Sequence, residues 1–412
     1  MRLTILSAAT LIAASTSAQV TVTTAPQNAQ QTYYSLANGV VANHSLADWD
    51  LAFELTGITG SILLNTAKGH KLYKAPYTLA QWSSIDTAGL AAGWPEQHNS
   101  EVNWSSGAFN QGLTANPFDL GWGIYNFTTH NIVGDSCFVL QLNGGAWKKF
   151  KVDGFTAATN SFAFTWADLD GGNEQSGSLV RSAYPGKNFG YYNLATNTAV
   201  DLEPAAASWD LLFTKYIGFV TQPFPSMYPV AGVLQNRQVE ALQVDGVPAA
   251  EATYWGGTFS TDINIIGFDW KSFNQGTFQW EYAQDRTYFV KDRNNDIYKL
   301  VFTGYGGSAN GNMTFNQELV GQAHVDEAGR SSALVIAPNP ATNTATLIIA
   351  AEANAAQLTI IDLNGRVVME QQLTGLHGLV QRPIDVSALP AGLYIARVQG
   401  DGIDGVVRLV KE

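Results

Sequence analysis

Alternation with a period of two runs through most of the chain, and helical periodicity is scarce. In "ADWDLAFE" (47–54), Trp49, Leu51 and Phe53 fall on one side and Asp50 and Ala52 on the other, the spacing of a strand. The box returns as "ASWDLLFT" (207–214). "CFVLQLNGGAWKKFKVDGF" (137–155) reads as strand, Asn-Gly-Gly turn and strand. "RTYFVKDRNNDIYKLVFTGY" (286–305) reads as the same hairpin, turned through "DRNND". Only "TLAQWSSIDTAGLAAGW" (78–94) suits a helical turn or short helix. Beyond "GQAHVDEAGRSSA" (321–333), a polar stretch without periodicity, come four more apolar runs with a turn at Asn364-Gly365. These predict a chain that is mainly all-β, with residues 334–412 forming a small β-sandwich.

Repeats refine the division. "TYYSLANGVV" (32–41) precedes the first Trp-Asp box and "GYYNLATNTAV" (190–200) the second. Downstream the match holds at an offset of 150, with Phe118-Asp119 against Phe268-Asp269 and 147–155 against 297–305. Two tandem modules follow, 33–180 and 187–322, joined by a linker (323–333) to the last unit. One core strand copied with its module should bury Trp49, Phe53, Trp209 and Phe213. Asp50 and Asp210 should then serve hydrogen bonds at a strand edge or turn.

Residues 1–18, "MRLTILSAATLIAASTSA", have the basic start, short apolar stretch and small residues of a signal peptide cleaved after Ala18. Residues 19–32 read as an N-terminal linker. No later apolar run is long enough to span a membrane. With 22 Lys and Arg against 34 Asp and Glu, the net charge is −12, which argues against a nucleic-acid partner. The single cysteine, Cys137, excludes an internal disulfide and reads as a small buried hydrophobe on a strand.

Four boxes, "APNPATNTATL", "IIDLNGRVV", "DVSALPAGLYIARV" and "GVVRLVKE", stand in order within 334–412, and together they resemble the C-terminal sorting domain of type IX secretion. That resemblance implies a Bacteroidetes-type bacterium, an encounter with the type IX secretion machinery, and a secreted or outer-membrane surface location. The tandem modules resemble the HmuY-like haem-binding family through Tyr-Tyr-x-Leu, Trp-Asp-Leu-x-Phe and the closing "YKLVFTGYGGSANGNMTFNQEL" (298–319). This second resemblance implies a secreted β fold holding haem through two axial side chains, His or Met.

Imidazole and thioether suit haem iron. His44, His70, His98 and His130 lie in the first module, and the second has no histidine. His324 and His377 lie in the linker and the sorting domain. The candidates for haem or another small ligand are His70, His98, His130 and Met227, the last in a Pro-rich loop. Met313 reads as core, and the offset of 150 sets His130 opposite Trp280.

No nucleophile elbow, zinc-protease helix or phosphate loop is present, so the chain reads as no enzyme. Asp292, Asn294 and Asp296, and likewise Asp168, Asp170 and Glu174, have partial calcium-loop spacing, but turn chemistry explains both sets. Trp104, Trp122 and Trp255, in glycine-rich surroundings, are the aromatics expected at the surface. The alternative to haem is a non-enzymatic surface binding or adhesive protein taking a carbohydrate or protein ligand.

Overall fold

The computed structural model describes residues 17–57, 59–321, 334–362, 365–400 and 403–412. The predicted signal peptide up to residue 16 and the linker 323–333 lie outside these residues. The structure is mainly β, as expected, and forms two compact units, Met1–Ala323 and His324–Glu412.

Four sheets build the two cores of the first unit. One core, containing Leu51, Phe53, Phe138, Phe150, Phe162, Phe164 and Tyr192, joins two of them. The first comprises Leu51–Glu54, Ile62–Leu64, Phe189–Asn193 and Thr198–Val200, and the second is the larger sheet spanning Lys71–Val180. The other core, containing Tyr34, Phe213, Trp270, Tyr288 and Phe315, joins the sheet of Gln30–Ser35, Gly39–Ser45, Leu211–Val220 and Ser226–Gln235 to that of Ala18–Thr23 with four later strands. Alternation along each strand sends the large apolar side chains to these interfaces.

The sheets do not follow the sequence modules. Gln30–Ser35, with the first Tyr-Tyr pair, lies against Leu211–Val220, the second Trp-Asp strand. Phe189–Asn193, with the second Tyr-Tyr pair, lies against Leu51–Glu54, the first. Each repeat thus lends its opening hairpin to the other. The spans 33–180 and 187–322 are continuous in sequence and interleaved in space. The reading of 19–32 as a linker is also corrected. Ala18–Thr23 is a strand paired antiparallel with Asn312–Gly321, and Val22, opposite Met313, is fully buried. The run "QVTV" alternates, but four residues are too few to announce a strand.

Both exchanges are fastened alike. Asp50 Oδ2 accepts the Leu194 amide at 2.7 Å, and Asp210 Oδ2 accepts the Leu36 amide at 2.7 Å. The edge of Trp49 meets Tyr191 at 5.1 Å between centroids, and Trp209 meets Tyr33 at 5.0 Å. The two tyrosine hydroxyls then bond each other across the pseudo-twofold at 2.9 Å. Trp49, Phe53, Trp209 and Phe213 are buried, and both aspartates bond to a neighbouring strand's end, as the alternation predicts. The aspartates differ in charge balance. Burial opposes ionisation of Asp50, but His70 at 2.7 Å, Lys68 at 2.6 Å and the Leu194 amide outweigh it, so its carboxyl sits below the usual range. Asp210 has no such cation in contact, and burial raises its carboxyl despite the Leu36 amide.

Smaller expectations hold. Residues 79–84 and 90–92 are short 3-10 turns, and Cys137 is buried, its thiol pushed up to about 11 by that burial. In the second unit one five-stranded sheet folds over itself. Thr344–Asp362 pairs with Val367–Asp385 along most of its length. On its other side it pairs first with Leu334–Ala337 and then with Gly392–Gly400, which pairs onward with Ile403–Lys411. Its core includes Leu347, Leu358, Ile360, Leu376, Ile384, Val398 and Leu409. The predicted sandwich is therefore one continuous sheet, close to a barrel.

Removing either aspartate strands a buried amide. Asp210→Ala should cost about 2 kcal/mol, and Asp50→Ala about 3–5 kcal/mol, because it also abandons His70 and Lys68. Urea unfolding followed by tryptophan fluorescence checks this, and a loss below about 0.5 kcal/mol for both would contradict the clamp.

Candidate functional site

Asparagines place the loop that carries the site. Asn99 Oδ1 accepts the amides of Leu64 and Ala108, both at 3.0 Å, and its Nδ2 donates to Leu64 O at 2.8 Å. Asn110 Oδ1 accepts the Ile62 amide at 3.0 Å. Together they cap the free edge of Ile62–Leu64, which no other strand covers. The approach is so close that a Cβ on Gly107 would stand 1.9 Å from Ile62 O.

From there the loop crosses to the other half. Glu101 Oε1 accepts the Phe219 amide at 3.0 Å, Val102 O accepts from Ile263 N at 3.1 Å, and Trp104 Nε1 donates to Gln235 O at 2.8 Å. Two cavities flank this strap. A narrow cleft of about 70 Å³ runs between the halves, lined by Trp49, Leu63, Trp104, Tyr191, Tyr216 and Leu234. An open groove of about 570 Å³ is lined by Glu96, Gln97, His98, Asn103, Ser106 and Gln111. Asn99, Ser100 and Glu101 belong to both walls.

In the groove Glu96 accepts from the Tyr73 hydroxyl at 3.2 Å and lies 3.7 Å from Lys71 Nζ. Burial holds the His98 imidazole below its usual pKa, although Glu96 and Glu101 pull the other way. Its Nδ1 is buried without a hydrogen-bond partner, 4.0 Å from Glu96 Oε1. The wall can therefore offer carboxylate and imidazole acceptors beside amide groups of both kinds.

A buried polar cluster lies along the same seam. Glu203 accepts the Phe189 amide at 2.8 Å and Asn188 Nδ2 at 2.8 Å, and Asn188 Nδ2 also reaches Asn236 Oδ1 at 2.8 Å. Trp209 Nε1 forms no hydrogen bond of standard geometry, although Glu203 is near enough for that group to help its ionised form. Arg237 pairs with buried Glu54 at 2.6 Å, a further link between the halves.

Of the four ligand candidates, only His98 lines either cavity. His70 is buried with both nitrogens used, Nε2 at 2.7 Å from Asp50 Oδ1 and Nδ1 accepting the Asn143 amide at 3.0 Å. It is a core residue, and its assignment as an axial ligand is corrected. His130 stands exposed at a hairpin tip, 2.7 Å from the Tyr125 hydroxyl. Met227 lies on the strand Ser226–Gln235 opposite Phe219, where a loop was expected. Met313 is core, as expected.

The offset of 150 slips at His130. Asn126 Oδ1 accepts the amides of Thr128 and Thr129, as Asn274 Oδ1 accepts those of Gly276 and Thr277. His130 has φ +59° and Phe278 φ +55°, so His130 matches Phe278, not Trp280. Trp255 is exposed as expected and Trp104 partly buried, but Trp122 is fully buried, its Nε1 donating to Gly60 O at 2.8 Å. Both acidic spacings are turns. Asp292 Oδ1 accepts the amides of Asn294 and Asp296, and Asp170 Oδ1 that of Gly172. Among the described residues no cluster of three His, Cys, Asp or Glu is placed to hold a metal. The groove's other lining residues escaped the sequence reading. The Asn- and Ser-rich run 99–110 was their only signal.

With this geometry in place, comparison with known proteins addresses the second unit. Residues 335–412 match the secretion system C-terminal sorting domain. The chain is accordingly exported and resides at the cell surface or outside the cell, and its second unit engages the secretion machinery. No helix among the described residues is long and apolar enough to cross a membrane. No curated protein matches the chain. Two solved structures with partial similarity are PorZ, an essential surface component of the type-IX secretion system of Porphyromonas gingivalis, and dimeric latent PorU from the same organism. The first is 11% identical over 70% of this chain and 44% of its own, with a TM-score of 0.16. The second is 11% identical over 92% and 40%, with a TM-score of 0.17. The chain thus spans less than half the length of either, and neither score indicates a shared overall fold. No HmuY-like relative is among these matches.

Glu203 gives the seam a pH dependence. Burial pushes its carboxyl from 4.5 up to about 7, against the pull of the Phe189 and Asn188 amides. The folded protein keeps a proton that the unfolded chain releases, so this stabilisation is complete below pH 4.5 and is lost as pH rises through 7. The gap in unfolding free energy between the parent and Glu203→Gln should change by about 3 kcal/mol between about pH 4 and about pH 8. Parallel pH curves would contradict the assignment.

Proposed function

We propose that this exported protein is a non-enzymatic binding protein whose first unit takes a carbohydrate in the groove formed by 95–112. The supporting observation is the junction at Asn99–Glu101, where a polar groove meets an aromatic-lined cleft. Sugar hydroxyls both donate and accept, which suits Glu96, His98, Asn103 and Gln111. Sugar rings also present apolar faces, which suits an aromatic such as Trp104 on the cleft that adjoins the groove. The loop is tied to both halves, so its side chains meet a ligand already ordered, which lowers the entropic cost of binding.

Haem remains the second reading, favoured by one observation, the place of His98 on the groove wall. A single such ligand falls short of the two that the HmuY-like resemblance implies.

Full-length protein on a glycan array should bind a defined subset of glycans. Asn103→Ala and His98→Ala should each weaken that binding about tenfold. Failure to bind any glycan, joined to a Soret shift with haemin that His98→Ala abolishes, would replace the carbohydrate reading with the haem one.

A further inference from the structure

The second unit carries an apolar row on the side of its sheet that faces away from the core. On Gly392–Gly400 the side chains of Tyr394, Ala396 and Val398 point inward, so Leu393 and Ile395 point out. Ile361 pairs in register with Val367 on one side and Ile395 on the other, and Ile395 pairs onward with Arg408. Leu393 pairs with Val410 in the flanking row. Val367 is 47% exposed, Leu393 38% and Ile395 41%. The same face supplies its own contrast, for at its far end Gln372, Gln357 and Gln399 stand in register. A half-buried sheet ordinarily turns polar residues outward, so the glutamine end follows the rule and the aliphatic end departs from it.

Charge narrows what covers the aliphatic end. Arg408, in line with the row, is exposed, and no ion pair among the described residues engages it. The chain as a whole carries a net charge of −12. We propose that the row Val367–Ile361–Ile395–Arg408 with Leu393 is the docking surface of the sorting domain. Its occupant is a component of the secretion machinery that presents an apolar patch with an acidic side chain opposite Arg408. The aliphatic residues supply area removed from water, and Arg408 fixes the orientation through a charge-assisted hydrogen bond.

The test is export of the full-length chain in a bacterium that has type IX secretion. Ile395→Asp and Arg408→Glu should each lower the ratio of surface and medium protein to periplasmic protein about tenfold. Arg408→Lys should restore most of the export. Leu379→Asp, at a 71% exposed position of the same unit outside the row, should leave it unchanged. Arg408 is a surface side chain, so Arg408→Glu is read where Ile395→Asp fails a protease-resistance check of the second unit. Undiminished export of Arg408→Glu, or an equal loss in Leu379→Asp, would overturn the proposal. So would light scattering that shows a parent dimer dispersed by Ile395→Asp, since the occupant would then be a second copy.

Discussion

Two buried carboxylates, Asp50 and Asp210, each hold the backbone amide of a hairpin that belongs to the other repeat. The rest of the first unit depends on this reciprocal clamp. A buried amide without an acceptor costs free energy comparable to a lost hydrogen bond, so each hairpin is bound to the other repeat's Trp-Asp strand. Trp49 and Trp209 close over the exchanged tyrosines, and the two hydroxyls meet on the pseudo-twofold. Each repeat's Trp-Asp strand loses a neighbouring strand once the other repeat is removed.

The seam produced by the exchange is also where the polar chemistry collects. Glu203, Asn188, Asn236, Glu54 and Arg237 lie along it, and the strap 95–112 crosses it. Polar groups buried there must find partners, and the asparagines find them on strand edges. The groove lies on the strap that joins the two halves.

Much of this was legible in the chain. Alternation placed Trp49, Phe53, Trp209 and Phe213 inside and marked both aspartates as hydrogen-bonding residues. The boxes of 334–412 named the sorting domain. The exchange was not legible, because the two hairpins carry nearly the same wording. Sequence pattern fixes which faces are apolar, whereas the choice between equivalent partners is made by chain geometry. Trp122 misled for a related reason. Its glycine neighbours allow close approach, since a Cβ on Gly121 would lie 2.6 Å from the Asn110 backbone and one on Gly123 2.6 Å from Val133 O. His98 was visible as a histidine, but Glu101, Asn103 and Gln111 sit in an aperiodic loop where spacing says nothing about convergence.

The most direct test of the exchange is to produce residues 184–321 alone and add the segment 17–45 as a separate chain. The clamp predicts that 184–321 alone shows no cooperative monomeric unfolding transition, because the partner strands of Leu211–Val220 and Asn312–Gly321 are missing. Adding 17–45 should restore one. A cooperative, monomeric 184–321 that ignores the added segment would contradict the account.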